Sequence, residues 1–125
     1  MQADPDVLDR IDALAQRAHS ARESFDPPAD PPDEERAMDL LRDGFGPTVS
    51  AFVEFRTGGR MEYFPPETYD RLEGAADDWL AMYAACYGVE VEGEYQLREA
   101  AELLVDTHNV RDAAQILTGV PERRG

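Results

Sequence analysis

Residues 49–64, VSAFVEFRTGGRMEYF, decide how this chain is classified. Read at a period of two, Val53, Phe55, Met61 and Tyr63 share one face and Glu54, Arg56, Arg60 and Glu62 the other, provided Gly58-Gly59 lies within an odd-length loop. A two-residue Gly-Gly turn would set Phe55 opposite Glu62, so the pattern favours a three- or five-residue connection with a bulge. Strands are expected at about 50–56 and 60–64. The rival reading joins Pro47 to Phe55 as a helix with Val49, Phe52 and Val53 inward.

Downstream the period is helical. Pro65-Pro66-Glu67 opens a long helix in which Tyr69, Leu72, Ala76, Trp79, Leu80, Tyr83 and Tyr87 recur at helical spacing up to Gly88. Aromatics so spaced serve as core or line a pocket, and Cys86 beside them reads as a small buried hydrophobe. Val89-Glu90-Val91-Glu92-Gly93-Glu94 alternates strictly and is expected to form a third short strand, its carboxylates solvated rather than set in a calcium loop.

The last segment places Leu97, Ala100, Ala101, Leu104 and Val105 on one helix and Val110, Ala113, Ala114 and Leu117 on the next, with Asn109 as a cap and Gly119 and Pro121 as the stop. Such a pair is either a packing hairpin or a helix-turn-helix DNA reader over residues 96–119. A reader would present Arg111, Gln115 and Thr118 to the bases. Asp112 lies among them, however, and Glu99, Glu102 and Asp106 would stand near phosphates, which disfavours nucleic acid as a partner.

Upstream, Asp4-Pro5 signals a helix start, and Val7, Ile11, Leu14, Ala18, Ala21 and Phe25 then form one seam with the period of a two-helix contact. That seam packs on the rest of the chain, or zips residues 5–25 onto a second copy or a partner's helix. The four prolines between Phe25 and Asp33 make a stiff spacer. Asp33-Glu34-Glu35 opens a short helix over about 34–43, which Gly44 ends.

With 125 residues there is room for one compact domain and an appendage, not for a multidomain enzyme. The 27 acidic residues outnumber 12 basic ones, all arginine, for a net charge of -15, while Leu, Ile, Val and Phe make up only about a fifth of the chain. Carboxylates hold water and hydrated cations, which suits a salt-loaded cytoplasm; at molar salt the Debye length falls to about 3 Å and the mutual repulsion is screened. The composition, the opening MQADPDVLDRIDALAQRAHSARE and the closing THNVRDAAQILTGVPERRG resemble small uncharacterised acidic proteins of halophilic archaea. That resemblance implies an environment and no reaction.

No secretion signal or membrane-length apolar run is present, and a cytoplasmic location is expected. With one cysteine, no HxH, HExxH, CxxC, GxGxxG or GxSxG motif, and no lysine for a phosphate loop, neither metal, cofactor nor catalysis is expected. His108 beside Asp106 and Asn109 reads as a turn-capping residue, and His19 lies on the first helix across the proline spacer, with no ligand spacing linking the two.

The expectation is therefore a predominantly α-helical α+β protein: an N-terminal helix (1–26), a proline-rich linker (27–32), and a helical domain with one short β-hairpin (33–125). Its function is expected to be a non-catalytic protein-interaction or regulatory module, with the DNA reader second and a small ligand binder or enzyme third. Thermal unfolding should be cooperative in about 2 M KCl and should lose its midpoint and sharpness as salt is dialysed away, a change that circular dichroism follows directly.

Overall fold

The computed structural model describes residues 5–57, 66–91 and 97–121. Residues Gly46–Thr57 are helical (α3), so the expected strand at about 50–56 is replaced; its expected partner at 60–64 lies outside the described residues. Burial explains why the helical period prevails. Phe45, Thr48, Val49 and Phe52, three and four apart, are buried, whereas Glu54 is exposed. A lone two-stranded hairpin would have had no third strand to lean on. Val89–Val91, read as a third strand, have no regular structure, and 92–94 lie outside the described residues. Among the described residues there is no strand, and the fold class is all-α rather than α+β.

The entry into α3 also differs from expectation, because Gly44 does not stop the preceding helix. Helix α2 (Glu34–Leu40) is capped by Asp33, whose carboxylate accepts from the Arg36 N–H at 3.2 Å, and it runs through a π-helical turn, Leu41–Phe45, into α3. Pro47 has no N–H to give Asp43, and its ring crowds that carbonyl. The widened turn accommodates the proline: the Gly46 N–H reaches back five residues to the Leu41 carbonyl, and the buried Thr48 hydroxyl donates to the Gly44 carbonyl at 2.8 Å. A Cβ on Gly44 would fall inside the indole of Trp79, so the ring lies directly on bare backbone there.

Helix α4 (Pro66–Ala85) is the central element. Leu72, Ala75, Ala76, Trp79, Leu80, Met82 and Tyr83 are all buried. Helix α1 (Pro5–Glu23) packs on α4 more extensively than any other pair of elements does, and α2, the π turn and α3 also meet α4. Helices α5 (Leu97–Thr107) and α6 (Val110–Thr118) form a hairpin packed on α3 and the π turn. Glu73 of α4 accepts from the Leu97 N–H at 2.9 Å and so caps α5 from a neighbouring helix.

The spacer folds α1 back along its own chain. Ile11 and Ala18 are buried, and Leu14, Ala15, Ala21 and Phe25 are partly buried against the core. Ion pairs flank them: Arg10–Glu54 and Asp12–Arg71, exposed on both partners, at 2.6 Å, and Arg22–Asp78, half-covered, at 2.7 Å. The spacer is tied down by the Asp33 N–H donating to the Cys86 carbonyl at 2.7 Å and by Arg36 donating to the Asp26 carbonyl at 2.6 Å.

Two glycine substitutions separate these packing effects. Gly44→Ala should cost about 1–3 kcal/mol through the clash with Trp79. Gly74→Ala, in an exposed helical position with nothing within 4 Å of the new Cβ, should gain about 0.5–1 kcal/mol. Denaturant midpoints at fixed salt measure both.

Candidate functional site

The end of α4 determines the shape of the surface beside it. Gly88, at φ 77°, lets the Gly88 N–H donate to the Ala85 carbonyl at 2.9 Å and the Val89 N–H to the Ala84 carbonyl at 3.1 Å. This is the paired pattern of a Schellman turn, and it reverses the chain so that 89–91 return past the last turn of α4. On the other side α1 ends at Glu23, and Phe25 is held by Arg36, whose guanidinium stacks 4.3 Å from the ring centre. Between them lies an open groove of about 380 Å³, near the lower end of small-ligand pocket sizes. Its apolar walls are Phe25, Ala81, Met82, Ala85, Val89 and Val91; Arg22 and Glu90 supply its charge. Val89 is 38% exposed, a large hydrophobe left in contact with solvent.

Of the seam read from the sequence, Ile11, Leu14, Ala18 and Ala21 pack toward the core of the same chain, Val7 lies outside the described side chains, and Phe25 alone lines the groove. The reader residues do not form one exposed face. Arg111 is exposed, but Gln115 donates to the Pro121 carbonyl at 2.6 Å, and Thr118 donates to the Ala114 carbonyl at 2.7 Å while accepting from the Val120 N–H. Both side chains thus hold the chain that leaves α6 through Gly119, at φ 74°. Asn109 caps α6 as its sequence position implied, accepting from the N–H groups of Arg111 and Asp112 at 2.9 and 3.2 Å. His108 adopts a positive φ of 52° in the exposed turn, where its N–H donates to the Leu104 carbonyl. His19 pairs with Glu23 at 2.8 Å on the surface of α1.

The aromatic column of α4 is packed core. The Tyr83 hydroxyl donates to the Val120 carbonyl at 2.8 Å, and its ring meets Tyr87 edge-on at 5.3 Å. The Trp79 Nε1 and Tyr87 Oη atoms are buried with no hydrogen-bond partner among the described residues. Burial pushes the Tyr83, Tyr87 and Tyr69 phenols above their usual range, with neighbouring Tyr87 adding to the effect at the first, Glu34 at the second and Glu73 at the third. Burial likewise raises the Cys86 thiol, which disfavours the thiolate. Among the described residues no cluster of three or more His, Cys, Asp or Glu side chains could hold a metal ion, and no helix is long and apolar enough to cross a membrane.

The sequence pattern of a family described as a domain of unknown function (DUF8055) matches residues 5–122. No curated protein and no solved structure matches the chain.

The phenol shifts have a defined sign. An unfolded tyrosine ionises near pH 10, whereas buried Tyr83 and Tyr87 ionise higher, so their contribution is intact below that pH and is lost as pH rises through the folded values. Stability should therefore fall above about pH 10, and Tyr83→Phe should flatten the fall. Denaturant midpoints, read beside phenolate absorbance, test this.

Proposed function

The chain belongs to the DUF8055 family, a membership that carries no activity with it, and we propose that it is a non-catalytic protein-interaction or regulatory module whose contact face is the groove between the ends of α1 and α4. One observation carries this reading: an open groove of mixed polarity with the apolar side chain of Val89 exposed in it, built by a turn that the Gly88 conformation fixes. In this reading the partner meets residues 5–25 only at their end, on Arg22 and Phe25; in support, Ile11, Leu14, Ala18 and Ala21 pack toward the core of the same chain. The acidic, lysine-free composition supports a working site in a salt-rich cytoplasm.

Val89→Asp and Val91→Asp place charge in the groove without touching the buried core. Material co-purified with the intact protein at about 2 M KCl should be lost with both variants while the thermal midpoint stays unchanged. Retention with both variants, and loss with Arg111→Ala as a nucleic-acid fragment, would replace the reading with the α6 reader.

A further inference from the structure

We propose that the groove takes a cationic segment of a partner protein, with an aliphatic side chain seated against Phe25 and Met82 and a neighbouring Arg or Lys side chain meeting Glu90; this rests on the reading of the groove as the contact face. The walls specify the aliphatic element. Phe25, Ala81, Met82, Ala85 and Val91 offer no hydrogen-bonding side chain, and a volume of about 380 Å³ admits no large folded element.

The charges specify the cationic element. Arg22, the cation of the groove, is held by the Asp78 carboxylate at 2.7 Å and is neutralised by it. Asp78 is only 20% exposed, so that carboxylate is not readily exchanged for an incoming anion. Glu90 is exposed, lines the groove and has no ion-pair partner among the described residues. An anionic occupant would meet Glu90 in the groove and a molecule of net charge -15 around it, whereas a cationic one is drawn by the same field. A second copy of the chain is disfavoured on the same ground, since it would bring another -15 to the contact.

The proposal is tested on the intact protein with three synthetic peptides, acetyl-Leu-Arg-Leu-Arg-amide and its Gln and Glu counterparts, by amide NMR at millimolar concentration and at about 0.1 and 2 M KCl. The arginine peptide should shift the resonances of Ala81, Ala85 and Val89 and bind about two- to fivefold more tightly than the glutamine peptide at low salt, a gap that narrows at high salt. The glutamate peptide should bind most weakly. Glu90→Gln, at an exposed position, should abolish the preference for arginine, so that the arginine and glutamine peptides bind equally. Equal binding of the arginine and glutamine peptides, or a preference that survives Glu90→Gln, would overturn the cationic class while leaving the groove as a contact face. No shift at the groove with any peptide would remove the groove reading itself. A dimer in sedimentation that Val89→Asp dissociates would make the occupant a second copy and overturn the proposal.

Discussion

The indole of Trp79 lies on the bare backbone of Gly44, and the positions of α2, α3 and α4 follow from that contact. An ordinary helix through residues 41–46 would set the Pro47 ring against the Asp43 carbonyl and leave a hydrogen bond unmade. The π turn avoids both problems, and the missing Cβ at Gly44 opens the space that the indole fills. The continuous run from α2 to α3 is thereby held against α4 by one large aromatic surface, and the buried Thr48 hydroxyl finds its acceptor in the Gly44 carbonyl. Gly46 has its own constraint, since a Cβ there would sit 2.9 Å from the Leu41 carbonyl oxygen. Within Gly44-Phe45-Gly46, both glycines thus stand where a larger side chain would collide with its surroundings.

Helix α1 is held differently. Two fully buried side chains, Ile11 and Ala18, anchor it, with small alanines beside them allowing close approach to α4. The cross-helix ion pairs of Arg10 with Glu54 and of Asp12 with Arg71 are exposed on both partners and contribute little in salt, so apolar contact governs the docking of α1 as ionic strength rises. The two terms respond to salt in opposite directions. Carboxylate repulsion and ion pairs fade together, while the apolar seam strengthens. A chain with this composition can hold a long, mostly polar helix in place under conditions where exposed charge pairs alone would not.

The legible features were those decided by local chemistry. Asp33 and Asn109 announced helix starts, and both side chains cap as their positions imply. Leu72, Ala76, Trp79, Leu80 and Tyr83 marked the buried stripe of α4. The hairpin misreading arose because four residues from Val53 to Arg56 alternate as well as they spiral, and the glycine pair after them supplied an apparent turn. The decisive information was non-local: Phe45, Val49 and Phe52 find their burial against elements distant in the chain. The groove was legible only in part. Phe25 stood at the end of a recognisable seam, but the alternation of Val89 and Val91 pointed to the inward face of a strand, whereas both line the groove from irregular chain together with Glu90. Ala81, Met82 and Ala85 carried no signal, because an alanine beside a cavity looks the same in sequence as one in a core.

The groove itself follows from how two helices end. Had α4 continued past Gly88, residues 89–91 would extend its axis and leave no second wall; the left-handed glycine turns them back. If α1 had ended before Arg22, Phe25 would not reach the opposite side, and Arg36 could not brace its ring. Each wall is therefore fixed by backbone hydrogen bonds or by a stacked guanidinium rather than by contact across the groove. A surface built in this way has little ordering left to do when it is filled, so less of the contact energy is offset by lost freedom. Pre-organisation of this kind favours recognition of a small apolar anchor by shape, with charge at the mouth adding discrimination rather than most of the affinity.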